Sequence, residues 1–213
     1  MKVFIDSDVA VKLAQWGLLD RFQLHLTKQG GATVYTLATL KYRFKLQDPA
    51  KAAALVGSSA AVAQLQRFAA ACAEPKGFNA DVATALHGVP GIDAGEAQLL
   101  ATAAQFDSVL VDTGDKKALR ALGILSASGP VAKELGGKLA CLEQTLSYLC
   151  TRWSFSTVQG AVTSAPSADS FCHRAFSASS EQQTLGALSA EATALGLACP
   201  GLLNAKPFAW VPT

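Results

Sequence analysis

Short apolar runs alternate with amphipathic helical segments up to about residue 128, and this alternation restricts the fold more than any other feature of the sequence. The apolar runs 2–5, 32–35 and 108–111 have the length of buried strands, and apolar residues at helical spacing follow each of them. Strands that are connected through helices usually pair in parallel, with helices on both faces of the sheet. We therefore predict an α/β fold with three α/β/α layers around a central parallel sheet, in which ligands bind beyond the carboxyl ends of the strands.

The remaining segments have a mostly helical pattern. Ala-rich helices are predicted within 49–74, and the run 123–128 is a candidate for a further strand. From Pro130 the pattern is helical to about Trp153, and a stretch rich in small and turn-forming residues follows. Helical patterns then return in the segments 168–176 and 180–195.

Length and composition predict a globular protein with two parts. The chain has 213 residues, of which 50% are hydrophobic and 16% charged, and its pattern changes near residue 135. We predict a catalytic domain at 1–135 and a helical C-terminal extension at 136–213. No apolar run reaches the roughly 18 to 20 residues of a membrane span, and the amino terminus lacks the pattern of a secretion signal. The five cysteines are odd in number and lack CxxC spacing. We expect a cytoplasmic location, no membrane contact, no disulfide and no zinc.

Acidic residues gather at the ends of the predicted strands. Asp6 ends the first strand and Asp8 follows it, while Asp112 and Asp115 stand at the end of the strand 108–111. If these strands are parallel neighbours, their carboxyl ends meet at one edge of the sheet. The helix between them opens with two more acids that can reach the same edge, Asp93 and Glu96.

Such a cluster suits a divalent metal ion. Mg²⁺ and Mn²⁺ prefer carboxylate oxygens and retain several waters. One or two such ions can orient a water, lower its pKa and stabilise the charge that builds on a phosphate during in-line displacement. The acidic residues therefore predict a Mg²⁺ or Mn²⁺ site for hydrolysis of a phosphodiester.

Several of these acids also fit structural roles. Asp93 and Glu96 have the spacing of a capping box, in which the two side chains satisfy the first amides of a helix. Asp8 fits a simple helix cap, and Asp112 fits an acid on an edge strand. Asp6 directly follows an apolar strand and is harder to explain by structure alone.

The net charge of +2 does not by itself predict nucleic-acid binding, so such a prediction depends on local clusters of basic residues. Lys41, Arg43 and Lys45 alternate with aromatic residues, and Lys116 begins a second basic group. These four residues are candidate RNA contacts, although a charged solvated face is an equally good interpretation.

Three motifs, in the correct order, resemble the PIN-domain family of nucleases over about residues 2–128. The opening VFIDSDVAV resembles the family's apolar strand that ends in an Asp, GEAQLLATAAQ resembles a helix that introduces a second acid, and VLVDTGDKKAL resembles the strand and Thr-Gly-Asp that supply the last acid. The resemblance implies a Mg²⁺- or Mn²⁺-dependent ribonuclease, often the toxin of a toxin–antitoxin pair. It implies that the catalytic metal-site acids are Asp6, Glu96 and Asp115, with Ser7 and Thr113 as polar supports.

The chain departs from the family at two places. Asp8 replaces a supporting Asn and is a candidate extra ligand, as are Asp93 and Asp112. The helix after the second strand commonly carries another Glu, and here Lys41 and Tyr42 occupy that region. A catalytically degenerate PIN-like binding module is therefore an alternative. The extension 136–213 lies outside the resemblance and could seat an antitoxin, a second copy of the chain or part of the substrate.

A second resemblance stays open. VFIDSDVAV also fits the Asp-x-Asp opening of haloacid-dehalogenase-like phosphatases, in which Asp6 would be the nucleophile and Asp8 the acid/base. The later acidic segment of that family expects an Asp where Leu119 stands. This reading predicts a phosphatase without nuclease activity.

Overall fold

A parallel sheet forms the centre of the part of the chain that the computed structural model describes, which is residues 1–177 and 180–212. Within that part the sheet has four strands in the order β2-β1-β3-β4, and every neighbouring pair is parallel. The strands are β1 (Lys2–Ile5), β2 (Thr33–Tyr35), β3 (Val109–Thr113) and β4 (Leu139–Cys141). The predicted α/β fold with a central parallel sheet is confirmed.

Helices fill the connections and the C-terminal third. A π-helical turn (His25–Gln29) continues α2, and a short 3-10 turn (Gly123–Leu125) continues α8. The helices are α1 (Ser7–Gln15), α2 (Leu19–Leu24), α3 (Thr39–Arg43), α4 (Pro49–Val56), α5 (Ser59–Ala71), α6 (Ala80–Leu86), α7 (Ala94–Ala103), α8 (Lys116–Leu122), α9 (Gly129–Leu135), α10 (Leu142–Trp153), α11 (Phe155–Ser164), α12 (Ser170–Ser177) and α13 (Glu181–Ala198).

The two faces of the sheet are buried in separate hydrophobic cores. Side chains alternate between the faces along a strand, so Val3 and Ile5 of β1 pack into one core while Phe4 packs into the other. The first core also contains buried residues of α1, α2, α5 and α10, and the second contains residues of α7, α8 and α9. This division produces the three α/β/α layers and explains why the strands are apolar on both faces.

The elements that periodicity predicted are present, with three differences. The candidate strand at 123–128 is wrong: this segment begins with the 3-10 turn, and the Ile124 side chain is 79% exposed, so no sheet face buries it. Strand β4 lies inside a segment that was predicted to be helical, because a three-residue apolar run has no period of its own. The stretch rich in small residues after Trp153 forms α11, which Ser154 caps by accepting a hydrogen bond from the Thr157 amide.

The C-terminal helices are packed on both cores. Leu146 and Leu149 of α10 belong to the first core, and Leu195 of α13 belongs to the second. Strand β4 lies after the predicted domain boundary at residue 135, yet it pairs with β3 in the central sheet. The boundary itself stays a prediction. No helix in the described ranges is both long enough and apolar enough to cross a membrane.

Close packing at Gly123 joins the end of α8 to the end of α13. A Cβ atom added at Gly123 would overlap the backbone carbonyl oxygen of Ala198. The Gly123 backbone is helical, with φ −56° and ψ −33°, so a side chain is excluded by this neighbour and not by the backbone conformation. Only a residue without Cβ allows the two segments to approach this closely.

We predict that Gly123→Ala destabilises the protein by about 1–3 kcal/mol, because overpacking against a fixed backbone costs more than the gain in helix propensity. Gly186→Ala in α13 is the matched control, since nothing lies within 4 Å of a Cβ at that position. The control should gain roughly 0.5–1 kcal/mol. Urea unfolding of both variants gives the two free energies, and equal behaviour would disprove the close docking of α13 on α8.

Candidate active site

Asp6 and Asp112, the acids at the ends of β1 and β3, lie next to each other because the two strands are neighbours in the sheet. Ile5 is paired with Asp112 in the parallel register, and the Asp6 amide donates a hydrogen bond to the Asp112 carbonyl oxygen over 3.0 Å. The Thr113 hydroxyl donates to Asp6 Oδ2 over 3.2 Å. The predicted convergence of these two segments at the carboxyl edge of the sheet is confirmed, and Thr113 contacts Asp6 directly.

Asp6 is an almost buried carboxyl with two hydroxyl partners. Its exposed fraction is 8%, and its other oxygen, Oδ1, accepts a hydrogen bond from the Ser7 hydroxyl over 3.4 Å. Burial raises the pKa of Asp6, and the nearby Asp8 carboxylate raises it further. An added cation would relieve both effects, because positive charge stabilises the ionised carboxylate.

Glu96 serves as a helix cap and as a site acid at once. Its Oε2 accepts a hydrogen bond from the Asp93 amide, and Asp93 Oδ1 accepts one from the Glu96 amide, each over 2.8 Å. The predicted capping box is therefore confirmed. Burial raises the pKa of Glu96 most, the neighbouring Asp115 carboxyl raises it further, and together they bring it to about 8.

Asp115 caps the following helix while it faces Glu96. Its Oδ1 accepts hydrogen bonds from the Lys117 and Ala118 amides, each over 2.8 Å. Burial alone would raise the pKa of Asp115, but the neighbouring Glu96 carboxyl and the hydrogen bonds from the two amides lower it. The two carboxyls therefore influence each other, so that the pKa of Glu96 is raised while the pKa of Asp115 is lowered.

A cleft of about 450 Å³ opens between the end of β1, helix α3 and the first turn of α7. Asp6 and Glu96, which are distant in sequence, both line it. Its polar lining consists of Asp6, Ser7, Thr36, Thr39, Arg43, Asp93, Glu96 and Gln98. Thr36, Thr39 and Gln98 were not predicted as site residues, because a lone threonine or glutamine on a helix or loop gives no sequence signal.

Arg43 is the only one of the predicted RNA contacts in the described ranges that lines the cleft. Its Nη1 donates a hydrogen bond to the Ser7 hydroxyl over 2.9 Å, and Ser7 in turn contacts Asp6. Lys41 reaches Glu74 over 3.5 Å, and Lys45 is exposed on a left-handed backbone with φ 50°. A cation of α3 therefore lines the cleft beside Ser7.

Asp8 and Asp112 do not have the structural roles that the sequence suggested. The position before α1 is Asp6, and Asp8 is not the cap but lies in the first turn, where it pairs with Lys12 over 2.7 Å. Asp112 is on β3, an interior strand, so its interpretation as an edge-strand acid is wrong. It is fully buried, and its Oδ2 accepts a hydrogen bond from the Thr145 hydroxyl over 2.7 Å.

Ion pairs behind the cleft connect the acids to the C-terminal helices. Lys12 contacts Asp169 over 3.0 Å as well as Asp8. Lys116 lies 2.6 Å from Glu143 and 3.0 Å from Glu191, so its charge is directed to two acids and not to the cleft. The spacing of Asp8 and Lys12, four residues on one helix, is a signal that the sequence contains; the long-range partners of Lys12 and Lys116 have no such signal.

Carboxylate oxygens of the kind that Mg²⁺ and Mn²⁺ prefer stand at the carboxyl edge of the sheet. Within residues 1–177 and 180–212, however, no three His, Cys, Asp or Glu side chains are grouped closely enough to hold a metal ion. Asp6 and Glu96 line the same cleft, whereas Asp115 is not among its lining residues. Oxygens of all three acids are engaged in hydrogen bonds with the protein.

Comparisons of the chain with protein-family models, with curated proteins and with solved structures give no match.

The capping box of Asp93 and Glu96 leads to a prediction about the stability of the protein. Asp93→Ala removes the acceptor of the Glu96 amide, and we expect a loss of about 1 kcal/mol in the free energy of unfolding. Asp93→Ser keeps a capping oxygen and should lose only a fraction of that amount. Urea unfolding at pH 7 measures both, and an alanine variant as stable as the serine variant would contradict a capping role for Asp93.

Proposed function

We propose that this chain is a metal-dependent endoribonuclease of the PIN type, which hydrolyses phosphodiester bonds in RNA. The observation that supports this proposal most directly is that Asp6 and Glu96, from distant segments, line one cleft at the carboxyl edge of a parallel sheet. The Asp115 carboxyl contributes to the raised pKa of Glu96. Ligand sites of open α/β sheets lie at this edge. The partners that the proposal implies are RNA and, for a toxin, an antitoxin protein that covers the cleft.

The acids that would hold Mg²⁺ or Mn²⁺ are Asp6, Glu96 and Asp115. Such an ion supplies Lewis acidity, which stabilises the negative charge that develops on a phosphodiester during hydrolysis. Binding would require the ionised form of Glu96, whose pKa is raised to about 8. Because burial and neighbouring carboxylates disfavour the ionised forms of Asp6 and Glu96, these groups favour a cation over an empty site at neutral pH.

The other cleft residues orient the acids and the substrate. Ser7 and Thr113 each donate a hydroxyl to one oxygen of Asp6, which restricts the rotation of its carboxylate. The Arg43 guanidinium lines the same cleft and can bind a phosphate oxygen through its donors. Arg43 would thus hold the RNA backbone beside the acids, and the half-buried Lys41 and the exposed Lys45 would contact neighbouring phosphates.

The direct test is cleavage of end-labelled single-stranded RNA by the full chain in Mg²⁺, in Mn²⁺ and in EDTA. We expect cleavage with either metal and none with EDTA. Glu96→Gln keeps an amide oxygen for the capping box but removes the charge, and it should lower the cleavage rate at least about 10²-fold. Asp81→Asn, which removes an exposed acid of α6 outside the cleft, should cleave like the original protein.

A non-catalytic RNA-binding module is the second candidate, because Lys41 and Tyr42 occupy the region where the PIN family commonly has an acid. Oxygens of Glu96 and Asp115 are also engaged in hydrogen bonds with the protein. RNA binding that needs Arg43, without cleavage in either metal, would favour this module over the nuclease. Hydrolysis of a small phosphate ester with phosphate attached to Asp6 would instead favour the phosphatase. Cleavage in EDTA, or an unchanged rate in Glu96→Gln, would overturn the nuclease proposal.

A further inference from the structure

A second pocket, of about 470 Å³, lies at the end of the molecule opposite the acidic cleft. It is formed by the π-helical turn, which precedes the start of β2, and by the last residues of α10. Helix α10 begins directly after β4 at the carboxyl edge, and its 12 residues extend about 18 Å away from that edge. The main lining residues are Arg21, His25, Lys28, Gln29, Arg152 and Trp153.

The lining of this pocket is cationic and contains no acid. Arg21, Lys28 and Arg152 contribute three positive charges. Within the described ranges, no carboxylate lies within 4.0 Å of any of the three side-chain cations. Lys12, Lys51 and Lys116, by contrast, each have such a partner. The three cations around one pocket therefore form a local concentration of positive charge. It raises the concentration of anions at the pocket.

The two guanidinium groups are held in place by neutral partners. The Arg21 guanidinium carbon lies 4.4 Å from the centre of the Trp153 ring. The Arg152 Nη2 donates a hydrogen bond to the Val211 carbonyl oxygen over 2.9 Å, and its Nε donates to the Tyr148 hydroxyl over 3.3 Å. Within residues 1–177 and 180–212, these contacts fix the side chains without neutralising them, which lowers the entropy lost when an anion binds.

The pKa of His25 responds to the positive charges around the pocket. Its Nε2 lies 2.6 Å from the Tyr148 hydroxyl oxygen. Burial lowers the pKa of His25, the charge of Arg152 lowers it further, and Arg21 contributes in the same direction. The residue lies in the π-helical turn together with Lys28 and Gln29, and such turns occur frequently at functional sites.

We propose that this pocket is a binding site for a phosphate group, carried either by a small nucleotide or by the backbone of RNA. The Arg21 guanidinium, which donates no side-chain hydrogen bond within the described ranges, can match phosphate oxygens through paired charge-assisted hydrogen bonds. Arg152 keeps Nη1 for a further contact, because its Nε and Nη2 are engaged, and Lys28 adds a third cation. The site goes beyond the proposed nuclease function, because it shares no lining residue with the acidic cleft. Its occupancy can therefore be measured without reference to RNA cleavage.

The test follows the ring signals of His25 by NMR while a phosphate-bearing probe is added to the full chain. The protein has three histidines, so single substitutions assign the signals, and His87 and His173 serve as internal references. A bound phosphate should shift the His25 signals and raise the pKa of His25, because the anion offsets the charges of Arg152 and Arg21. The probes are inorganic phosphate, adenosine monophosphate and a single-stranded RNA oligonucleotide with a 5′-hydroxyl.

The probes distinguish the two sources of phosphate. Saturable shifts with inorganic phosphate or the mononucleotide support a small ligand, and shifts that only the oligonucleotide produces support the RNA backbone. The double variant Arg21→Gln/Lys28→Gln should weaken the binding at least tenfold. Lys76→Gln/Lys133→Gln removes the same charge from two exposed residues outside the pocket and should bind normally. Absence of a His25 shift with all three probes, or equal weakening in both double variants, would overturn the proposal.

Discussion

The Asp6→Asn variant is expected to lose RNA cleavage by at least about 10²-fold while it keeps its fold, under the proposed nuclease function. Asp6 stands at the end of β1, is 8% exposed and lines the cleft together with Glu96. Asparagine has nearly the same shape but lacks the negative charge that a bound cation needs. The loss should therefore appear in the cleavage rate and in metal affinity.

The stability of Asp6→Asn distinguishes a loss of cleavage that comes from the site from one that comes from unfolding. Burial and the Asp8 carboxylate raise the pKa of Asp6, so the ionised form opposes folding at neutral pH in the absence of metal. Removal of the charge should leave the free energy of unfolding unchanged or raise it when it is measured in EDTA at pH 8. Such a combination, in which a site variant is inactive and at least equally stable, is typical of residues that serve chemistry.

Both properties are measured on one preparation, by RNA cleavage in Mn²⁺ and by urea unfolding in EDTA. Asp81→Asn is the control for the loss of one negative charge, and it should be unchanged in rate. Full activity of Asp6→Asn would remove Asp6 from the catalytic residues. A marked loss of stability would instead assign Asp6 a structural role in joining β1 to Thr113.

The second large effect is expected at Asp112, which is completely buried between neighbouring strands. Burial raises the pKa of its carboxyl from 3.8 to about 7, and the hydrogen bond from Thr145 offsets only part of this rise. The Oδ1 atom is buried and has no hydrogen-bond partner in the described part of the chain. An ionised Asp112 is therefore an uncompensated buried charge.

The sign of the pH dependence follows from the raised pKa. Between pH 3.8 and about 7, the folded protein holds the Asp112 proton more tightly than the unfolded chain does, so the free energy of unfolding falls as the pH rises. Above about pH 7 the carboxyl is ionised in both states and the loss is complete. Three pKa units correspond to about 4 kcal/mol, and relaxation around the buried charge reduces this to roughly 2–4 kcal/mol.

Asp112→Asn removes this ionisation, so the stability of the variant relative to the original protein should increase by that amount from pH 4.5 to pH 8. Urea unfolding in EDTA at several pH values measures the difference, and other titrating groups cancel because both proteins contain them. Asp107→Asn replaces an exposed acid just before the same strand and should give a smaller change. A constant difference between Asp112→Asn and the original protein over this range would disprove the buried, proton-binding carboxyl.

Local patterns predicted the features that depend on neighbours in the sequence. The three apolar runs became β1, β2 and β3, because strands buried on both faces must be apolar along their whole length. The capping box of Asp93 and Glu96 was predicted by its three-residue spacing and is present. The convergence of Asp6 with the end of β3 followed from one assumption, that the two strands are parallel neighbours, which the sheet order bears out.

Features that depend on distant neighbours had no such signal. Strand β4 is only three residues long, and it is a strand because the edge of β3 is available to pair with it. The sequence could not show that Glu96 both caps α7 and faces Asp115. Only the capping partner lies nearby in the sequence, and Asp115 is brought close by the fold. The same limit applies to Arg43, whose contact with Ser7 depends on where α3 lies relative to β1.

The sequence by itself determined the alternation of strands and helices, the helix caps and the acids that end the strands, because these depend on backbone geometry and on residues within about one turn. Tertiary structure alone decided which acids share a cleft, which cations are engaged in ion pairs and which remain available. Lys116 and Arg43 illustrate the difference: both are basic residues close to site acids in sequence or space, yet Lys116 is paired with Glu143 and Glu191 while Arg43 lines the cleft. Electrostatic environments arise from charges that folding brings together, and for Glu96 and Asp112 those charges include carboxylates of distant segments.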